Sequence, residues 1–147
     1  MCISNYVIKG KFQLQYYGVF YSSGGNWIKR CNTPSFDLPG IDIENNNIHC
    51  GSGPVLNICD RIAYYDKNFI NLIIDISKRH QIPFQMKTEI SGATDAAAIQ
   101  ILKNGMKTIT ISIPCRYMHS PSTIINMDDF KNTYKLVYEF IKEFQKS

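Results

Sequence analysis

No Cys-x-x-Cys pair occurs in this 147-residue sequence, although it holds five cysteines: Cys2, Cys31, Cys50, Cys59 and Cys115. That spacing excludes a structural zinc knuckle, and an odd number without paired spacing points to reduced thiols. There is no apolar run of about 18 residues that could cross a membrane as a helix. Nor does the N-terminus carry the apolar core of roughly 7–15 residues before a small-residue cleavage site that marks a secretory signal. The expectation is a cytoplasmic chain with no membrane partner. Sixteen Lys and Arg stand against twelve Asp and Glu, leaving +4, but they are scattered and form no basic stripe, which argues against nucleic acid as a partner. Two chemistries lack their residues as well. "GSGPV" (Gly51–Val55) has no Lys-Ser/Thr and precedes a strand, so it reads as a turn and not a phosphate loop. No two carboxylates stand out as the acid and nucleophile of glycoside cleavage.

What is present is an α/β pattern from about residue 53 onward. Gly53–Cys59 reads as a short buried strand, and Lys67–His80 as a helix with Phe69, Leu72, Ile73 and Ile76 on one face and basic residues in its last turn. Ile82–Ile90 alternates as a second strand. Thr94–Gly105 reads as an alanine-rich helix stopped at Gly105, and Lys107–Ile113 as a β-branched third strand. The chain then loops through "PCRYMHSPST" into a final helix. There Phe130, Tyr134, Val137, Ile141 and Phe144 recur at spacings of four and three, behind Asp128 and Asp129 in the first turn. Alternating strands and helices imply crossover connections and a sheet covered on both faces. The first fifty residues show no sustained period, and Asp42–Gly53 reads as a loop.

His119 follows the third strand, at the carboxyl edge where open α/β sheets place their ligands. Position alone leaves it open between a surface histidine and a metal ligand. His49, in a polar loop, and His80, at a helix end, are weaker candidates. Thr94 or Asp95 could cap the helix they precede. Cys115 has no obvious histidine-plus-orienter pair to activate it, which argues against a thiol protease.

Together, "GSGPV", "SGATDAAAIQILKNGMKTITISIPCRYMHSP" and "MDDFKNTYKLVYEFIKEF" resemble the C-terminal end of the tetrahedral-assembly aminopeptidases, the glutamyl and deblocking enzymes of which some carry an endoglucanase label. Gly92, Thr94 and Asp95 match that family's Gly-x-Thr-Asp-Ala segment. Arg116, Tyr117 and His119 match its Arg-Tyr-x-His-Ser/Thr, and "FDLPG" (Phe36–Gly40) is similar to its Asp-x-Pro-Gly. The likeness spans about residues 33–147, leaving 1–32 as a non-matching N-terminal segment. It implies the C-terminal part of a peptidase catalytic domain, with a mixed sheet and helices on both faces. It also implies removal of N-terminal residues from peptides, two divalent metal ions (zinc or cobalt) and a homo-oligomer.

Carried over residue by residue, the resemblance makes His119 the last metal ligand. Gly92, Thr94, Asp95, Arg116 and Tyr117 remain motif positions without an assigned role. The family's liganding Asp is replaced by Cys31, and the Glu-Glu pair, the bridging Asp and the second His have no counterpart. The chain as written is therefore expected to hold metal poorly and to be inactive alone. An inert remnant or an assembly module is the alternative, and polysaccharide hydrolysis rests on family labels only. Read one nucleotide out of frame, the codons permitted for "YSSGGNWIKRC" (Tyr21–Cys31) allow T-V-Q-E-E-I-G-L-K-G-A at every position, the family's general-base segment. This suggests that residues 1 to about 32 are an out-of-frame translation.

Overall fold

The computed structural model describes residues 18–21, 26–38, 40, 47–88, 90, 92, 96–101 and 106–144. Among the described residues nine elements follow one another: β1 (Gly18–Tyr21), β2 (Asn26–Pro34), β3 (Val55–Asn57), α1 (Lys67–Arg79), β4 (Gln85–Lys87), α2 (Ala96–Gln100), β5 (Lys107–Arg116), β6 (Ile124–Ile125) and α3 (Met127–Phe144). The strands form one sheet in the order β1-β2-β5-β3-β4, with β6 paired to the end of β5. It is a mixed sheet. β2 runs parallel to β5 and β3 parallel to β4, whereas β3 and β5 are antiparallel. The parallel crossover expected from the sequence is thus present at β3-α1-β4, and β5 returns in the opposite sense.

β5 lies at the centre because both of its faces can be covered. Ile109, Ile111 and Ile113 alternate with Thr108, Thr110 and Ser112, and all six are buried. β-branched side chains at most of these positions favour the extended backbone.

α1 begins where the Asp66 carboxylate accepts from the Phe69 amide at 2.8 Å, satisfying a first-turn N–H that the helix leaves free. It buries Phe69, Ile70, Ile73 and Ile76. α3 packs against it, with the Phe69 and Phe140 ring centroids 5.6 Å apart. Each such side chain removed from water contributes roughly 1.5–3 kcal/mol.

Two expectations need correction. The N-terminal segment does not lack regular structure where it is described: Gly18–Tyr21 and Asn26–Cys31 lie in β1 and β2. β2 owes its conformation to nine registered partners on β5, from Asn26↔Lys107 to Pro34↔Cys115, and not to an alternating pattern of its own. Second, the stripe on α3 is rotated. Tyr134 is 61% exposed, whereas Thr133, Leu136, Val137 and Phe140 are buried. An exposed tyrosine fits the same spacing as a buried one, so the period alone could not place the stripe. Thr94, Asp95 and residues 102–105, read from the sequence as part of the second helix, lie outside the described residues. No described helix is long and apolar enough to cross a membrane.

Candidate functional site

β2 and β5 run side by side and end together, β2 at Pro34 and β5 at Arg116. Beyond them the chain makes a bonded edge: Ser35 N–H donates to Cys115 O at 2.8 Å and Phe36 N–H to Ile48 O at 2.9 Å. Over this edge the Arg116 guanidinium grips the Asp37 carboxylate with two N–H donors, Nε to Oδ1 at 3.2 Å and Nη2 to Oδ2 at 2.6 Å. The planar fork matches the carboxylate on both oxygens, which fixes orientation as well as distance. Cys50 N–H also donates to Asp37 Oδ2, at 3.3 Å. The Arg116 fork, helped by Ser35 and Cys50, holds the Asp37 carboxyl down to about 2 against the effect of burial. Arg116 itself is raised by the same partner.

A second carboxylate ties the "GSG" turn to the start of α3. Asp129 is 1% exposed, and its two oxygens accept from Gly51 N–H and Gly53 N–H at 2.7 Å each. Gly53 has φ +96°, and a Cβ there would lie 2.3 Å from Pro83 O, so only glycine fits the turn. Between the two carboxylates sits Cys50. Its Sγ lies 3.4 Å from Ser35 Oγ and 3.6 Å from Pro114 O, and burial raises its thiol pKa. Cys115 is fully buried, and burial pushes its thiol up to about 11, with Cys50 and Cys31 adding to the shift. Neither thiol is set up as a nucleophile.

The motif residues named from the sequence fall into two groups. Arg116, Tyr117 and His119 lie together at this edge. Tyr117 and His119 adopt the left-handed backbone, φ +57° and +66°, in a turn closed by Ser120 N–H and Oγ on Tyr117 O. Conformations of this kind in non-glycine residues cluster at functional loops. His119 is exposed. Gly92, with φ +74°, accepts from Arg61 N–H at 2.9 Å in a separate turn after β4, while Thr94 and Asp95 lie outside the described residues. Sequence reasoning missed the partnership of Asp37 with Arg116 and the hold of Asp129 on the turn. The cleft of about 520 Å³ lined by Tyr64, Asp66, Lys67 and Lys107 lies at the other end of β5 and belongs to a different part of the molecule.

A paired-metal centre does not fit the described residues. Among the described residues no three His, Cys, Asp or Glu side chains come together to hold an ion. The register position of the expected liganding Asp carries Cys31, opposite Ser112.

The model of the M42 glutamyl aminopeptidases matches residues 32–136. The chain belongs to this family. The lysyl aminopeptidase of Pyrococcus furiosus is 33% identical over 94 residues, which is 63% of this chain and 26% of that enzyme. The TET aminopeptidase of a marine sediment thaumarchaeote superposes with a TM-score of 0.75 at 30% identity, covering 78% of this chain and 32% of its own. A Thermotoga maritima protein solved under the name endoglucanase reaches 0.59 at 31% identity over 78% of this chain and 32% of its own. This M42 chain thus spans about a third or less of the length of each of these relatives.

Proposed function

We propose that the chain is the C-terminal part of a two-metal aminopeptidase domain. In complete form such a domain hydrolyses N-terminal residues from peptides; the chain as it stands does not. The observation that carries this reading is the Asp37–Arg116 fork. It pins the Arg-Tyr-x-His-Ser loop against the Asp-x-Pro-Gly segment at the carboxyl edge of β2 and β5, within the stretch matched by the M42 family. Peptide hydrolysis needs a polarised carbonyl and a water that has given up its proton. Among the described residues neither is provided for: Cys31 takes the place of a carboxylate, Arg116 is committed to Asp37, and His119 stands exposed without two further donors. A non-catalytic assembly module in the cytoplasm, with copies of itself as partners, is the second reading. The exposed Ile62, Tyr64, Ile90 and Ile101 favour it. The purified chain, supplied with zinc or cobalt and with peptides bearing N-terminal Glu or Lys, is expected to release no N-terminal residue. Turnover that disappears on chelation and returns with metal overturns the first reading.

A further inference from the structure

The cleft at the amino end of β5 takes no part in the edge held by Asp37 and Arg116. Its volume of about 520 Å³ falls within the roughly 300–1,000 Å³ usual for ligand pockets. Lys107 and Thr108, where β5 begins, line it on one side. Tyr64, the first residue of α1 (Lys67), the last of α2 (Gln100) and Met106 line the others. Hydrogen bonds tie these segments together. Gln100 Nε2 donates to Tyr64 O at 2.8 Å, and Met106 N–H donates to Gln100 O at 3.1 Å.

Charge in the cleft is one-sided. Lys67 and Lys107 are both exposed, and the one carboxylate that lines the cleft with them is Asp66. That carboxylate is already engaged: its Oδ1 accepts from the Phe69 amide at 2.8 Å and lies 3.8 Å from Lys107 Nζ. Lys67 has no carboxylate partner among the described residues. Apolar surface continues beside the lysines. Tyr64 is exposed in the cleft wall, Ile101 is exposed next to Gln100, and Ile62 is exposed two residues before Tyr64. A small anion would use the lysines and leave this apolar rim in water. A purely apolar ligand would leave the lysines without a counter-charge. A peptide that carries both acidic and aliphatic side chains satisfies the two together, and tyrosine and methionine are side chains that peptide-binding surfaces favour.

We propose that this cleft and its rim bind an acidic peptide with aliphatic anchors. The carboxylates meet Lys67 and Lys107, and the aliphatic side chains pack on Tyr64, Met106 and Ile101. The site is separate from any peptide hydrolysis, since no residue of the Arg-Tyr-x-His-Ser loop lines it. Copies of the chain that meet through Tyr64 and Ile101 compete with the peptide for the same surface.

Fluorescence anisotropy of the peptide Asp-Leu-Glu-Ile-Asp-Leu, labelled with fluorescein at its N-terminus and amidated at its C-terminus, tests the proposal on the full chain. The label blocks the amine, so no aminopeptidase reaction is involved. This peptide is expected to bind, and Lys-Leu-Lys-Ile-Lys-Leu and Asp-Ser-Glu-Ser-Asp-Ser to bind roughly tenfold or more weakly. Lys67→Gln/Lys107→Gln should weaken binding roughly fivefold or more, and Tyr64→Ser roughly tenfold. Lys131→Gln/Lys142→Gln, which removes the same charge from α3, should leave it unchanged. Circular dichroism confirms the fold of each variant. Equal binding of the acidic and basic peptides, or equal binding by the native chain and Lys67→Gln/Lys107→Gln, overturns the proposal. Absence of binding overturns it too, as does light scattering that shows copies of the chain holding the surface against excess peptide. Should Lys67→Gln/Lys107→Gln not fold, acetylation of the native chain decides. Bound peptide is expected to slow the labelling of Lys67 and Lys107 but not of Lys131, and equal labelling with and without peptide overturns the proposal.

Discussion

Asp37 and Asp129 are the two side chains on which the candidate site's geometry depends, and they act differently. Asp129 accepts two amide protons from the turn, and its loss strands the buried donor at Gly53. Asp37 forms an ion pair with a pH dependence whose sign follows from its low carboxyl pKa. Its ordinary value is 3.8 and the folded value is about 2. From about pH 5 upward both folded and unfolded chains hold it ionised, and the pair's stabilisation is fully present. As pH falls below 3.8 the unfolded chain takes up a proton before the folded one does, so stability drains away until the folded carboxyl protonates near 2. Urea denaturation at several pH values between 5 and 2 is expected to show this loss, and Asp37→Asn to show a flatter dependence over the same window. An unchanged slope in Asp37→Asn would mean that other carboxylates account for the acid sensitivity.

At the scale of elements, α3 separates what pattern tells from what packing decides. Phe140 is 2% exposed and meets Phe69, whereas Tyr134 is exposed and stacks on Tyr138, centroids 6.4 Å apart. Phe140→Ala is expected to cost about 3–5 kcal/mol, the usual range for emptying an aromatic core position. Tyr134→Ala should stay within about 0.5 kcal/mol. Chemical denaturation of both variants checks the contrast, and similar losses would put the rotation of the helix in doubt.

The same contrast describes how much the sequence conveyed. α1, β5 and α3 were legible because their apolar or β-branched spacing is local. β2 was not, because its nine pairings to β5 come from a strand far along the chain. The site divides likewise. Arg116 and His119 were found through a short motif, but the partnership of Arg116 with Asp37 spans 79 positions and that of Asp129 with Gly51 spans 78. The burial of Lys87 likewise comes from the pairing of β4 with β3 and not from the alternation of Ile82–Ile90 itself.

At the scale of the molecule, four of the nine large apolar side chains exposed among the described residues lie on a few linked loops. Ile62 and Tyr64 sit in the loop after β3, Ile90 follows β4 and Ile101 follows α2; they are 63%, 78%, 70% and 81% exposed. Hydrogen bonds join these segments. Gln100 Nε2 donates to Tyr64 O at 2.8 Å, and Arg61 N–H donates to Gly92 O. Neighbouring apolar side chains held on linked loops form a region that water covers poorly, and such regions mark contact surfaces or aggregation sites. The sheet also ends, among the described residues, in β1 on one side and three-residue β4 on the other, each with one paired side only. Self-association is therefore expected to rise with protein concentration and to strengthen in sulfate, which favours apolar burial, instead of weakening as a charge-driven contact would. Light scattering across a concentration series measures it. Tyr64→Lys with Ile101→Lys should suppress the association without lowering the thermal midpoint, since neither side chain belongs to the core. Association that survives both substitutions would place the contact on the sheet edges.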